Sequence, residues 1–310
     1  MYKDLCLDTD QKKKTHNMSN ECELAKETEY LGELGSGAFG AVYKARHRTD
    51  GHLFAVKVLV DAEDHVQEVA ERGEGDILLE LDHEHIIFSF HSHGWGTPRV
   101  EIFMELRQGD LRSLAYSMPK QQLTDLAHNV LHHMLQALDY LASLGFVHRD
   151  VKPANIFYNT IAAAAADSQN PEQQAPYRYH FVIGDFGLCE HKNKLSTRSF
   201  APGTLLYMAP ELLATPRRHK QSHKSDVWAL WVTLLWTLDV DVVRFREVIG
   251  EDSIMNAMEY AEHLMRTDWG EDVTADTVRG MGRRHPGSRW TAGQVLDRKF
   301  GGVGRVTRRE

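Results

Sequence analysis

The stretch that most constrains this chain is His148–Asn155, with the sequence HRDVKPAN, followed downstream by Asp185–Gly187, with the sequence DFG. The first motif sets an acid, a cation and an amide at fixed offsets, and the second adds another acid beside a glycine. Phosphoryl transfer from a nucleotide needs such a set. An acid must receive the proton of the attacking hydroxyl, a lysine must steady the moving phosphate, and an amide and a second acid must hold Mg²⁺.

A second motif lies nearer the N-terminus, where Gly35, Gly37 and Gly40 occur in the sequence GSGAFGAV. Alone, G-x-G-x-x-G is a weak signal, because dinucleotide-binding folds use it too, with a helix after the glycines. Here Ala41–Arg46 alternates as a strand does, and Leu53–Val60 is a second β-rich run after a Thr-Asp-Gly turn. The pattern therefore predicts a β-hairpin whose first corner brings backbone N–H groups close to phosphate oxygens.

Lys57 lies within the apolar run Phe54–Val58. Taken alone, such a lysine is equally well explained as a solvated residue of an edge strand. After a phosphate-binding hairpin the functional interpretation gains, since its ammonium can bind the α- and β-phosphates of a nucleotide. The next segment, Ala62–Leu81, is rich in glutamate and carries apolar residues at helical spacing, which predicts a helix that can supply an anion for this lysine.

Together and in this order, the motifs resemble those of the eukaryotic protein kinases of serine/threonine type. The resemblance covers residues 30–300. It implies an α+β, bilobal protein-kinase-like fold, with a small β-rich lobe that has one main helix and a larger, mostly helical lobe. The other segments that carry it are GTLLYMAPE at Gly203–Glu211, SDVWAL at Ser225–Leu230 and HPGSRWTA at His285–Ala292.

The resemblance implies ATP and Mg²⁺ as cofactors and assigns roles to the motif residues. Asp150 would orient and deprotonate the hydroxyl, and Lys152, typical of serine/threonine kinases, would stabilise the transferring phosphoryl group. The implied metal ligands are Asn155 and Asp185. The implied catalytic residues are Asp150, Lys152, Lys57, Glu74 and Thr204. The residues expected around the nucleotide are Leu34, Gly35, Gly37, Phe39, Gly40, Val42, Ala55, Lys57, Met104, Glu105, Arg107, Asp110 and Phe157.

Two of these assignments leave alternatives open. Counting back from the family's fourth strand places the anionic partner of Lys57 at Glu74, and the alternatives are Glu71, Glu68 and Glu80. Asp110 either binds the ribose or a basic substrate side chain, or caps the helix that begins beside it, since aspartate is a favoured N-cap residue.

Arg149 precedes the catalytic acid, and a buried arginine at that place needs an anion. In the family such an arginine often pairs with a phosphate on the segment that follows the DFG motif. Thr197 and Ser199 are the predicted acceptors, phosphorylated by an upstream kinase or by the chain itself, with Ser196 behind them. The alternative is that they are ordinary surface hydroxyls.

Four more residues carry expectations from the resemblance. Asp226 would brace the backbone of the catalytic loop, and Glu211 would pair with Arg289. Trp231 stands where the family usually has glycine, so its ring demands a rearranged pocket.

The chain is expected to divide into successive parts. From the N-terminus these are a disordered leader (1–28), a kinase domain (29–300, with a small lobe to about 107, a large lobe from about 108 and a low-complexity insert at 159–180) and a C-terminal tail (301–310). Apolar residues at steps of three and four predict a helix over Leu123–Leu144, ended by Gly145. The apolar run Val227–Leu238 predicts a second, buried helix.

Composition limits the partners. A formal net charge of -8 in 310 residues argues against nucleic acid, and no apolar run approaches the roughly 20 residues that span a bilayer, so no membrane is expected. Three cysteines do not form a disulfide framework, which predicts an intracellular, reducing location in the cytoplasm. The nucleus is an alternative, although Lys12–Lys14 is shorter than the usual nuclear address.

Protein substrates with serine or threonine acceptors are the expected partners. Two other functions share these motifs. A pseudokinase would use the same fold as a nucleotide-binding or scaffold module. A small-molecule kinase of similar fold would generally lack the complete platform that this chain carries from Gly203 to Glu211.

Overall fold

The structure is a computed structural model. It describes residues 23–37, 40–60, 77, 80–95, 97–161, 179–193, 205–213, 221–238 and 279–308. The chain divides into two compact units, a small unit (Met1–Leu106) and a large unit (Arg107–Glu310). The first is built mainly from strands and the second mainly from helices, in agreement with the predicted α+β class.

The small unit is a five-stranded antiparallel sheet in the order β1-β2-β3-β5-β4. Its elements are α1 (Glu23–Lys26), β1 (Thr28–Gly37), β2 (Gly40–His47), β3 (Leu53–Val60), β4 (Ser89–His93) and β5 (Arg99–Glu105). The predicted hairpin of Ala41–Arg46 and Leu53–Val60 is confirmed as the antiparallel pair β2–β3, and the glycines lie where β1 turns into β2. Alternate residues of β3 face one way because the side-chain period of a strand is two, and Phe54, Val56 and Val58 join Phe90 and Phe103 in the core of this unit.

The large unit contains the remaining elements. They are β6 (Gly109–Asp110), α2 (Leu111–Ser117), α3 (Leu123–Leu144), β7 (Phe146–Val147), β8 (Ile156–Thr160), β9 (Tyr179–Ile183), β10 (Glu190–His191), α4 (Pro210–Leu213), α5 (His223–Thr237) and α6 (Ala292–Phe300). β6, β8 and β9 form one small sheet, and β7 pairs with β10 in another. The helix predicted over Leu123–Leu144 is confirmed at both ends, and Gly145 ends it in the left-handed conformation at φ 82°.

The helix α5 begins at a capping box between Ser222 and Ser225. Nearly all of its residues are buried, which confirms the predicted buried helix. Trp231 is 2% exposed and its ring meets that of Trp228 edge to face at 4.8 Å. A Cβ atom on Gly282 would lie 2.6 Å from the Trp231 ring, so the absence of a side chain at Gly282 makes the room that this tryptophan needs.

Two predicted boundaries need correction. β8 and β9 stay paired as far as Thr160 and Tyr179, so the connection between them is shorter than the predicted insert at 159–180. Residues 162–178 lie outside the described residues. At the N-terminus, α1 and the first residue of β1 fall within the predicted leader 1–28, because Thr28 pairs with His47 and its hydroxyl donates to the Leu24 carbonyl at 2.7 Å.

The end of the chain folds back onto α3. The carboxylate of Asp139, 1% exposed, accepts hydrogen bonds from the backbone N–H groups of Val306 and Thr307 at 2.7 and 2.9 Å. The Thr307 hydroxyl donates to the same carboxylate at 2.6 Å. Residues of the predicted tail therefore satisfy a buried charge of the large unit. Across the described ranges, no helix has the length and apolar character needed to cross a membrane.

Candidate active site

The loop after β7 is held by a buried carboxylate on α5. Asp226, 3% exposed, accepts the backbone N–H of His148 at 2.8 Å and that of Arg149 at 2.9 Å. Arg149 has a φ of 74°, which a residue with a side chain rarely adopts. Burial raises the pKa of Asp226 to about 7, although both amide contacts lower it. The predicted role of Asp226 as a brace of this loop is confirmed.

Three predicted residues meet within hydrogen-bonding distance on this loop. The ammonium of Lys152 lies 2.8 Å from a carboxylate oxygen of Asp150. The side-chain amide of Asn155 donates to the same oxygen and to the backbone carbonyl of Asp150, each at 2.8 Å. A 3₁₀ turn over Pro153–Asn155 brings Asn155 back toward Asp150. A cation and an amide thus orient one carboxylate, as a proton acceptor for a hydroxyl requires.

The second acid is joined to this cluster through the backbone. The N–H of Gly184, at the end of β9, donates to the Asn155 carbonyl at 2.9 Å, and Asp185 follows with a φ of 59°. The buried ring of His148 contacts the Phe186 ring at 4.8 Å, and its Nε2 lies 3.1 Å from the Gly184 carbonyl oxygen. Burial lowers the pKa of His148, which favours the neutral ring.

The residues present fit a magnesium ion. The amide nitrogen of Asn155 faces Asp150, so the amide oxygen points away from it, and Asp185 adds a half-buried carboxylate. Carboxylate and amide oxygens are the ligands that Mg²⁺ prefers, usually with one or two carboxylates and the phosphates of a nucleotide. Asn155 and Asp185 would hold the ion.

The guanidinium of Arg149 has an anionic partner in the described structure. One of its nitrogens lies 2.8 Å from a carboxylate oxygen of Glu190, and both side chains are almost fully buried. Its Nε also donates to the side-chain carbonyl of Gln221. The predicted phosphate acceptors Ser196, Thr197 and Ser199, and the predicted catalytic residue Thr204, lie outside the described residues.

A second buried ion pair lies elsewhere in the large unit. Arg289 donates two hydrogen bonds to the two carboxylate oxygens of Glu211, at 2.7 and 2.8 Å. Its guanidinium also stacks on the ring of Trp228 at 5.1 Å. The pair predicted from two distant motifs is confirmed, and the interpretation of these residues as separate surface charges is wrong.

The glycine-rich hairpin shows where glycine is required. Gly37 pairs with Gly40 at its corner, and Gly40 has a φ of 120°. A Cβ atom on Gly40 would lie 2.2 Å from the carbonyl oxygen of Val58, so no larger residue fits without moving the backbone. Gly35 lies on β1, and Phe39 lies outside the described residues.

Lys57 lies in the middle of the sheet. Its strand β3 runs between β2 and β5, with Lys57 opposite Val42 on one side and Ile102 on the other. Lys57 is 7% exposed, so the interpretation as a solvated edge residue is wrong. Ala55, two residues earlier, faces the same way, opposite Met104.

The predicted partner of this lysine is not located. Glu74, Glu71 and Glu68 lie outside the described residues, and Glu80 is exposed. Leu34, predicted to lie at the nucleotide, is 53% exposed.

The sheet limits the contacts that Glu105, a predicted nucleotide-binding residue at the end of β5, can make through its backbone. The backbone N–H of Glu105 donates to the Phe88 carbonyl, and the Glu105 side chain accepts from the Phe88 N–H, each at 3.0 Å. A contact between the backbone of Glu105 and adenine can therefore use only its carbonyl oxygen.

Three more predicted nucleotide contacts lie in the large unit. Asp110 is the N-cap of α2, where its carboxylate accepts the Ser113 N–H at 2.7 Å. This contact shows the capping alternative for Asp110. A guanidinium nitrogen of Arg107 lies 3.1 Å from His180 Nδ1, and Phe157 on β8 pairs with Asp110.

The residues that sequence reasoning missed are the neighbours of Arg149. Glu190 is the single acid in the stretch Leu188–Phe200 that follows the DFG motif, and that acid was the available signal. Nothing in the sequence signalled a role for Gln221. Gly282 was also missed, although the unexplained size of Trp231 implied a small residue somewhere against it.

Comparison with known proteins gives a consistent result. A family model described as "Protein kinase domain" matches residues 28–301. The chain is similar to serine/threonine-protein kinase 10 of Danio rerio, with 26% identity over 290 residues, which covers 88% of this chain and 26% of that protein. It is 30% identical over 210 residues to the MAP kinase kinase mkk-4 of Caenorhabditis elegans, covering 66% of this chain and 53% of that protein.

A third relative is matched over more of its own length. The calcium/calmodulin-dependent protein kinase type 1B of Rattus norvegicus is 28% identical over 291 residues, which covers 92% of this chain and 76% of that protein. The first two relatives are much longer than the matched part, and the chain spans about a quarter of one and about half of the other.

Proposed function

Because this chain belongs to the protein kinase family, we propose that it is a serine/threonine protein kinase that transfers the γ-phosphoryl group of Mg-ATP to hydroxyls of protein substrates. The observation that carries the proposal is the cluster in which Lys152 and Asn155 both contact the Asp150 carboxylate. That cluster offers a positioned proton acceptor beside a fixed cation, and the backbone of Asn155 is joined to that of Gly184, next to Asp185.

Each residue then has a chemical task. Mg-ATP supplies the transferable phosphoryl group and the metal's charge. Asp150 orients the substrate hydroxyl and takes its proton, while Lys152 balances charge on the transferring group. Asn155 and Asp185 hold the metal, and Lys57 binds the α- and β-phosphates. Most of the rate gain comes from positioning and from fixed charges, because the transition state of phosphoryl transfer is loose.

The preference for serine and threonine rests on two observations. Lys152 lies two residues after the catalytic acid, which is the arrangement typical of the serine/threonine class in the sequence resemblance. The relative from Danio rerio is named a serine/threonine-protein kinase. Protein substrates with serine or threonine acceptors follow from this class. Phosphorylation of Thr197 or Ser199 by an upstream kinase or by the chain itself stays a prediction.

A peptide-library phosphorylation assay tests the proposal. The purified chain is incubated with Mg-[γ-³²P]ATP and peptides that offer serine, threonine or tyrosine. We expect label on serine and threonine, and a loss of about 1,000-fold or more in kcat for Asp150→Asn and Asp185→Asn. Asp125→Asn, an exposed acid on α3, is the matched control and keeps wild-type activity.

The other outcomes identify the alternatives. Nucleotide binding without transfer to any acceptor would indicate the pseudokinase. Transfer that survives in Asp150→Asn and Asp185→Asn would contradict the assignment of the site. Transfer to small hydroxylated metabolites but to no peptide would indicate a small-molecule kinase.

A further inference from the structure

The catalytic-loop arginine, Arg149, is already paired in the described structure. Its guanidinium nitrogen lies 2.8 Å from the Glu190 carboxylate, with the two side chains 4% and 7% exposed. A contact with Gln221, just before α5, engages its Nε. Glu190 and Gln221, from separate parts of the large unit, therefore hold the side chain of Arg149. The backbone N–H of Arg149 is bound by Asp226.

Glu190 is itself fixed by the local fold. It lies on β10, opposite Val147 of β7, two residues before Arg149. Two residues beyond this pair, the Lys192 N–H donates to the Gly145 carbonyl at 2.8 Å. On the other side, the Cys189 N–H donates to the Phe186 carbonyl at 2.9 Å and closes the turn after Asp185. The backbone that bears the Glu190 side chain is therefore hydrogen-bonded to the segment before the catalytic loop and to the turn that contains the DFG motif.

Charge decides what this pairing means. A buried arginine without an anion is strongly unfavourable, and Glu190 removes that penalty without any modification of the chain. A phosphate brought to the same guanidinium would lie beside the Glu190 carboxylate, and two like charges so close in a buried place repel each other. Glu190 thus already provides the anion that a phosphorylated segment would supply, and its charge opposes the approach of a phosphate.

We infer that Glu190 is a positioning residue that holds the catalytic loop through Arg149, so that phosphoryl transfer does not require a phosphate on Thr197 or Ser199. The inference rests on the proposed kinase function. It predicts that the chain is active as synthesised and that its activity depends on the negative charge at Glu190.

The first test removes phosphate. The full chain is treated with a protein phosphatase, complete dephosphorylation is checked by mass spectrometry, and kcat is measured on serine/threonine peptides. We expect kcat within about two-fold of the untreated chain, and the same for Thr197→Ala/Ser199→Ala. A loss of about ten-fold or more in either case, restored by rephosphorylation in the dephosphorylated wild type, would overturn the inference.

The second test removes the charge at Glu190. Glu190→Gln keeps the shape and should lower kcat by about ten-fold or more, with KM for ATP within about two-fold, while Glu190→Asp recovers part of kcat. The matched control is Asp139→Asn, which also removes a buried carboxylate of the large unit but one that contacts the end of the chain. Equal kcat per folded molecule in Glu190→Gln and Asp139→Asn would contradict a positioning role.

A third measurement does not depend on catalysis. Hydrogen exchange of the His148 and Arg149 amides, both bound by Asp226, reports how firmly the loop is held. We expect faster exchange of these amides in Glu190→Gln and unchanged exchange in Asp139→Asn. Wild-type protection in Glu190→Gln would sink the inference even if the chain transfers phosphate. A chain without transfer, but with this exchange pattern, would instead refute the proposed function and leave the positioning contact standing.

Discussion

The two units of this protein hold their predicted site residues by different means. In the large unit, charged side chains are buried against each other, as in the pairs of Arg289 with Glu211 and of Arg149 with Glu190. In the small unit, strand register places Lys57, and a sharp backbone turn places Gly40. The ion pair between Arg46 and Glu29 there is exposed.

This difference teaches where single changes matter. A network of buried charges depends on every member, because removing one leaves its partner without compensation. The register of paired strands depends on many backbone hydrogen bonds. It therefore tolerates most side-chain changes, except where the backbone leaves no room for a Cβ atom. The large unit should therefore be sensitive at its charged pairs, and the small unit at few positions.

The largest effect is expected at the buried pair. Glu211→Gln leaves the Arg289 guanidinium buried with no countercharge and should lower the free energy of unfolding by about 3–5 kcal/mol. Glu29→Gln, the same change in the exposed pair of the small unit, should have no measurable effect. Urea denaturation of the two variants measures both. Equal stability of the two would break the comparison.

The next effect is a loss of stability in acid that arises in the small unit. Burial, and then the nearby His93, lower the pKa of His91 to about 4 from its ordinary 6.5. The folded state keeps this ring neutral, whereas the unfolded chain binds a proton below about pH 6.5. Its contribution to stability is therefore complete above that pH and is lost progressively down to about pH 4.

The measurement is urea denaturation at pH 7.5 and pH 5. The wild type should lose about 2 kcal/mol at pH 5 through this one group, and His91→Gln should lack that part of the loss. His285→Gln, at an exposed position of the large unit, should keep the wild-type pH dependence. Identical pH curves for the two variants would contradict the assignment.

A smaller effect is expected at the hairpin. Gly40→Ala places a Cβ atom against the Val58 carbonyl and requires a backbone conformation that alanine rarely adopts, so the corner must shift. We expect KM for ATP to rise by about ten-fold with a smaller change in kcat. Gly32→Ala, on the partner strand β1, meets no atom within 4 Å and should behave as wild type.

The smallest effect concerns Asp110. Asp110→Ala should lower stability by about 1 kcal/mol through loss of the α2 cap, and Asp110→Asn, which can still cap, should restore it. If capping is the only role, both variants keep the wild-type KM for ATP and for basic peptides. A raised KM in Asp110→Asn would restore the binding role that the sequence left open.

Local sequence predicted most of the fold that depends on short-range rules. The leucine spacing and the glycine that follows gave both ends of α3, and alternation after the glycines gave the β2–β3 hairpin. The contacts of the catalytic loop were predictable only through the family resemblance, since Asp226 lies far along the chain from His148.

Other contacts could not be predicted, because they join positions that no local pattern relates. The sequence marked Trp231 as too large for its place, but only the fold brings Gly282 against its ring. Likewise, the sequence showed that Arg149 needs an anion and left a phosphate as the natural candidate, whereas pairing of β7 with β10 places Glu190 there.

The contact of Asp139 with the last turn has a practical consequence for truncation. The family match ends at residue 301, before Val306 and Thr307, whose N–H groups satisfy this carboxylate. A shortened version cut at that match boundary would strand a desolvated anion on the long helix of the large unit. Expression trials of such versions should therefore retain the chain at least through Thr307, or replace Asp139 with a neutral side chain.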